Sequence, residues 1–459
     1  MVKGIDLTQG NETKVIVKFA IPMMIGNIFQ QLYNLVDAVI VGKFVGKEAL
    51  SAVGVSFPLM FLLDSLIIGF AIGGTILVSQ FFGSKQEDKL VKTSDTLQIV
   101  LFFSALVITF IGIFFSKFIF KLVNLPQELV PMAVKYFNII MLGNVGAFGY
   151  NALSAILRGL GDSKTPLYFI IVAEVTNIIG DILFIVVFKM GVAGAAWATV
   201  LSFYISYIIA IIYLNKKHKI ISTHLKLKFD KEIFSKILKI GLPSSGQMLI
   251  ISLGNVLIFT IINLFGTNVI ASYSAASRLN AFAIMPAMFF SNALTAFVGQ
   301  NFGAKISHRI FNGLKSTIII NSAISIAFTI IVQLLPNFLM KLFANDADVI
   351  KIGVEYFKIV SPFYIVFSVM FSFSAVYRGM GNTIIPMYIT FVALWLVRFP
   401  VTAFFSLKID WNALNFIPAN YKGLWWGEPF GWTLGMIVTL IYFYFRFRKK
   451  INNLHLLDN

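Results

Sequence analysis

Apolar residues run through this chain in long stretches, broken by short polar or charged segments. A helix crosses the hydrocarbon of a bilayer in about 20 mostly apolar residues. Twelve stretches meet that length, at approximately 15–42, 50–81, 90–115, 129–157, 166–188, 193–214, 236–264, 269–300, 312–335, 348–376, 384–407 and 424–446. The pattern predicts an all-α membrane protein with twelve transmembrane helices. Several stretches are longer than a bilayer needs, which predicts tilt or kinks at Pro22, Pro58, Pro286 and Pro362. The first 14 residues are polar and the first stretch is too long for a signal-peptide core, so no cleavage is expected.

Composition agrees with the pattern. Of 459 residues, 58% are hydrophobic and only 12% charged, against about 25% charged in a typical soluble domain. The net charge of +17 would suggest nucleic acid in a soluble protein. Here the basic residues sit at loop ends rather than in one groove, so no nucleic-acid partner is expected. The N-terminus, the even-numbered loops and the C-terminus hold 23 Lys and Arg, and the odd-numbered loops hold eight. By the positive-inside rule that bias predicts a multi-pass protein of the cell (plasma or inner) membrane with both termini in the cytoplasm. Cysteine is absent, which excludes disulfides, thiolate metal sites and cysteine nucleophiles.

The chain reads as two copies of one unit. A shift of 220 positions aligns Gln80, Phe82, Gly83 and Lys85 with Gln300, Phe302, Gly303 and Lys305. It also aligns Arg158-Gly159-Leu160-Gly161 with Arg378-Gly379-Met380-Gly381, and Pro166 with Pro386. Such agreement marks an internal duplication of six spans. An even number of spans keeps both copies in one orientation, as parallel six-helix repeats around a central cleft. The expected organisation is an N-terminal lobe over 1–214, a cytoplasmic amphipathic linker over 215–235 and a C-terminal lobe over 236–459.

An ionisable side chain at the middle of a span costs roughly 2.5–3.5 kcal/mol on insertion scales, so it normally faces a cavity or a partner. Asp37, Asp64, Glu174 and Asp181 sit well inside expected spans, all in the N-terminal half. The duplicate positions of Asp64, Glu174 and Asp181 hold Ile284, Leu394 and Val401. Buried acids are thus expected in one repeat only. Asn27, Gln30, Asn34 and Asp37 share one helical face, and so do Glu174, Asn177 and Asp181. Thr199 and Ser202 lie one turn apart on the next span. If these faces meet, they offer the oxygen ligands that a small cation wants in a low-dielectric pocket. Arg398 is the main deep cation, with a carboxylate or loosened carbonyls as its expected partner.

Several of these segments resemble multidrug and toxic-compound extrusion (MATE) transporters: Leu32-Tyr33-Asn34-Leu35-Val36-Asp37 after an early proline, Ser79-Gln80-x-x-Gly83, the doubled Arg-Gly-x-Gly with its following proline, and Gly191–Thr199. Within that family the chain is most similar to the DinF-like branch. The resemblance implies a cation-coupling site at Asp37, Asn177, Asp181 and Thr199, with Tyr136 often joined to it. It implies a proton or Na⁺ as coupling ion, bound at those oxygens, and no other metal or cofactor. Substrates would be amphipathic, often cationic organic compounds, with Gln30, Tyr33 and Asn34 as candidate contacts. The protein would work as a monomer in the lipid bilayer, exporting by alternating access.

Two rivals are weighed against this reading. A flippase of lipid-linked precursors would be expected to carry a strongly cationic cavity for pyrophosphate, whereas deep acids dominate here. A membrane enzyme is not expected, because none of His218, His224, His308 and His455 lies in a span, and ATP drive is not expected, because no phosphate-binding glycine loop occurs.

Overall fold

The computed structural model describes residues 5–122, 125–217, 228–410 and 415–453. The central part of the expected linker, with His218 and His224, lies outside the described residues, as does His455. The molecule is helical almost throughout. Eleven helices among the described residues are long and apolar enough to cross a membrane. A bent pair at the fourth expected span brings the number to twelve if it is counted as one.

The first repeat comprises α1 (Glu12–Phe44), α2 (Lys47–Gly83), α3 (Glu87–Leu122), α4 (Val130–Leu142), α5 (Asn144–Gly159), α6 (Lys164–Asp181) and α7 (Val192–Lys217). The second begins with α8 (Lys231–Asn263), α9 (Thr267–Gly303), α10 (Ser307–Leu334) and a short α11 (Pro336–Lys341). It continues with α12 (Ala347–Val360), α13 (Tyr364–Gly379), α14 (Ile384–Phe391), α15 (Phe399–Ser406) and α16 (Tyr421–Tyr442). Helices α1, α2 and α9 run unbroken through Pro22, Pro58 and Pro286, whereas Pro362 lies in a 3₁₀ turn that separates α12 from α13. Two features were not expected from the sequence. The fourth span breaks at Gly143 with a bend of 44°, and a short antiparallel hairpin pairs Leu407–Asp410 with Asn415–Pro418.

The chain divides into two compact units, Met1–Leu7 with Lys18–Ser245, and Thr8–Val17 with Gly246–Asn459. In the first unit, α2 packs closely on the start of α8. A Cβ on Gly69 would lie 2.4 Å from the Ser245 backbone nitrogen, so small residues set that helix separation. Apolar cores form within each unit, around Leu97, Phe148 and Leu157 in the first and around Tyr356, Phe357 and Trp425 in the second. Phe110, Phe114 and Leu334 are largely exposed, as side chains on a lipid-facing surface are.

The duplicated Arg-Gly-x-Gly is a helix ending with two distinct demands for glycine. In each unit the second glycine is left-handed, with φ of 83° at both Gly161 and Gly381. Paired hydrogen bonds close the turn behind it: Gly161 N–H donates to the Arg158 carbonyl and Asp162 N–H to that of Leu157, with Gly381 and Asn382 repeating both. The first glycine lets helices touch. A Cβ at Gly159 would lie 2.6 Å from Val78 Cβ, and one at Gly379 would lie 2.7 Å from Val298 Cβ.

Candidate functional site: two facing aspartates

In the first unit, glycines and alanines on α6 and α7 let these helices approach closely. A Cβ on Gly180 would sit 2.9 Å from Ala198 Cβ, and one on Gly194 would sit 3.0 Å from the Phe184 carbonyl carbon. That contact sets Asn177 and Asp181, one turn apart on α6, against Thr199 on α7. Asp181 is the last residue before a π-helical turn, Ile182–Val187, a local widening that often accompanies functional sites.

With its nitrogen turned to Asp181, the Asn177 amide donates to Asp181 Oδ2 at 3.0 Å, and its oxygen accepts from Thr199 Oγ1 at 3.1 Å. This orientation satisfies both ends of the amide. Helix α1 brings Asp37 to the same place, and its carboxyl group meets that of Asp181 within hydrogen-bonding reach. Asp37, Asn177 and Asp181 are all buried, and Oδ1 of both aspartates lacks a hydrogen-bond partner. Tyr33 places its hydroxyl 3.4 Å from Thr199 Oγ1. Buried Tyr136, from α4, interacts electrostatically with both aspartates. The residues inferred for the coupling site therefore come together in one unit. Tyr33, inferred as a substrate contact, joins the same network, while Gln30 and Asn34 are exposed.

Two ionised carboxylates this close repel by about 4 kcal/mol for a separation of about 4 Å at an effective dielectric of about 20. No Lys or Arg among the described residues makes an ion pair with either aspartate. Such a pair is accommodated by a proton or a metal cation shared between the oxygens. Two carboxylates with a hydroxyl beside them form a hard oxygen set suited to either. Among the described residues no cluster of three or more His, Cys, Asp or Glu occurs.

Asp64 and Glu174, half-buried, stay outside this network, although one Glu174 oxygen is also unpartnered. Buried acids are not confined to the first repeat, contrary to the sequence expectation. Glu428, near the start of α16, is 7% exposed. It accepts from Arg398 Nη2 at 2.5 Å and from the Tyr356 hydroxyl at 3.0 Å. Arg398 thus has its carboxylate partner, at the end of a second π turn, Val392–Arg398. In the same unit Gln247 donates to Thr390 Oγ1 at 2.7 Å and to the Pro386 carbonyl at 3.3 Å, a helix-to-helix tie.

Comparison with known proteins agrees with the two-repeat reading. The MatE family model matches twice, over residues 22–183 and 243–404. The probable multidrug resistance protein YpnP of Bacillus subtilis is 31% identical over 405 residues, covering 88% of this chain and 91% of that protein. The probable multidrug resistance protein NorM of Thermotoga maritima is 26% identical, covering 94% and 90%. Among solved structures, that of a MATE protein in the bent conformation superposes with a TM-score of 0.90 at 24% identity, covering 100% of this chain and 99% of that one. The outward-facing conformation of a multidrug resistance MATE family transporter gives 0.89 at 24% identity, covering 99% of each chain.

Proposed function

The chain belongs to the MatE family of multidrug efflux transporters, a multi-pass membrane protein, and from that premise we propose that it is an antiporter driven by cation entry at Asp37 and Asp181. The observation that carries the proposal is the pair of buried, facing carboxylates without a basic partner among the described residues. A proton or Na⁺ arriving from outside is shared by the two aspartates, with Asn177 holding Asp181 through its amide N–H and the Thr199 hydroxyl beside them. Neutralisation removes the repulsion between α1 and α6. The helices then close on one another, and the π turn after Asp181 gives α6 a place to adjust. Closure expels the organic substrate outward, and alternating access returns the empty site to the cytoplasm, where the cation leaves.

Tyr136 and Tyr33 line the acid pair and report its charge to substrate. Gln30 and Asn34, exposed on the same helix as Tyr33, are the proposed substrate contacts. The substrates are amphipathic, often cationic organic compounds; relatives are named multidrug resistance and multidrug export proteins. The protein works as a monomer in the cell membrane with both termini cytoplasmic, and needs no cofactor besides the coupling ion. Each elementary charge moved inward is worth about 2.3 kcal/mol per 100 mV, and each tenfold gradient adds about 1.4 kcal/mol. One or two ions per cycle therefore support a large substrate gradient.

The test is transport of a fluorescent organic cation in liposomes holding the purified protein, under an imposed pH gradient and then a Na⁺ gradient. One of the two gradients drives transport, and an ionophore that collapses it stops transport. Movement that ignores both gradients would defeat the proposal.

A further inference from the structure

The second unit holds a partly open cavity of about 790 Å³ lined by α8, α9, α13, α14, the second π turn and α16, a size suited to one drug-sized molecule. Its walls are mostly aliphatic and small polar residues, with an aromatic cluster of Phe367, Phe371 and Trp432 on one side and Phe259 and Tyr273 elsewhere. Phe367 stands 4.2 Å from Phe371 and 5.1 Å from Trp432 between ring centroids, forming a continuous aromatic wall. The only charged lining residues among those described are Arg398 and Glu428.

Those two charges cancel each other on the spot. Both Glu428 oxygens are occupied, Oε1 by Arg398 and Oε2 by the Tyr356 hydroxyl. Arg398 is further bonded to Tyr273, whose ring stacks on Trp425 at 5.9 Å. The wall therefore carries polarity with no net charge. A ligand cation would find the acid already neutralised, and a ligand anion would find the guanidinium already neutralised. In a low-dielectric cavity either would remain an uncompensated charge. Beside exposed Asn255 and Asn263, Asn280 lines the cavity at 7% exposure, and its buried Oδ1 has no hydrogen-bond partner.

We propose that this cavity is a binding site for flat aromatic compounds of zero net charge that carry a hydrogen-bond donor for Asn280 Oδ1. The site widens the cargo beyond the organic cations drawn to the acids of the first unit. It extends the exporter reading but does not depend on coupling at Asp37 and Asp181. The Arg398–Glu428 pair acts as the charge filter, because removing either member leaves the other bare.

The test uses the purified full-length protein and one coumarin fluorophore in three forms: neutral with an amide donor, trimethylammonium-bearing and sulfonate-bearing. Fluorescence anisotropy reads equilibrium binding without any ion gradient. The neutral form should bind at least tenfold more tightly than either charged form. Trp432→Ala and Asn280→Leu should each weaken it fivefold or more. Glu428→Gln should move the preference to the sulfonate and Arg398→Gln to the trimethylammonium form. The double variant, which restores balance and guards against misfolding of the singles, should prefer the neutral form again. The inference is overturned if the wild type favours a charged form at a site sensitive to Trp432→Ala, or if neither wall variant weakens neutral binding. It is also overturned if folded single variants keep the wild-type ranking. Gradient-driven efflux without neutral-probe binding would sink this inference alone, and neutral-probe binding without gradient-driven efflux would sink the coupling proposal alone.

Discussion

Asp37 on α1 and Asp181 on the last turn of α6 meet carboxyl to carboxyl, and neither has a basic partner among the described residues. The contrast within the same chain is Arg398 and Glu428, where a buried acid is matched at 2.5 Å. The matched pair holds one arrangement. The unmatched pair changes its energy whenever a cation enters or leaves, which is what an ion-driven device requires.

This predicts a trade of stability against activity. Asp37→Asn or Asp181→Asn removes the repulsion and should raise the apparent Tm of the purified protein while abolishing gradient-driven transport. Functional sites commonly carry such a cost. Thermal unfolding with parallel liposome transport checks both halves, and a variant that loses stability together with transport would point to a structural role.

Thr199 ties the Asn177 amide to the Tyr33 hydroxyl. Thr199→Val keeps the shape and removes the oxygen. The cation concentration giving half-maximal transport should rise about tenfold or more, the usual effect of losing a supporting ligand. Thr199→Ser should restore most of it, and the titration of transport rate against cation reads both.

The two glycine contacts should behave as duplicates. Gly159→Ala and Gly379→Ala each force a Cβ against a valine and a backbone carbonyl oxygen on the neighbouring helix. Overpacking of this kind costs about 1–3 kcal/mol, so both variants should unfold at lower temperature. Denaturation of the two variants side by side measures it.

Breaking the Arg398–Glu428 pair from one side leaves a buried charge alone, at a cost of about 3–5 kcal/mol. Glu428→Gln should therefore be much less stable than the double variant with Arg398→Gln. The comparison is a thermal-unfolding double-mutant cycle, and additive losses would show that the two side chains do not interact.

The duplication and the first-unit site were legible because both leave short-range marks. A spacing of four puts Asn177 and Asp181 on one face, and a fixed shift relates Gly159 to Gly379. Glu428 was not legible as a partner. It lies 30 residues from Arg398, in the segment Trp425-Trp426-Gly427-Glu428-Pro429, which reads as the wet end of a span. Only packing of α16 on the second π turn brings the two together. The break at Gly143 is likewise a tertiary event. A Cβ there would lie 3.1 Å from Val200 and 3.3 Å from Phe203, both on α7, and nothing in the apolar run announces those neighbours. Tyr33 was expected as a substrate contact, next to Asn34, and nothing in its spacing placed it in the acid network. Its hydroxyl lies at Thr199, across from a helix more than 160 residues away.

Substrate-evoked release of the coupling ion from the purified protein in detergent tests the central claim most directly. With a pH-sensitive dye and a Na⁺-selective electrode, addition of a transported cation should expel protons or Na⁺ from the wild type. Asp37→Asn and Asp181→Asn should release none. Release of equal size from the wild type and both variants would contradict the account, because the ion would then be held elsewhere.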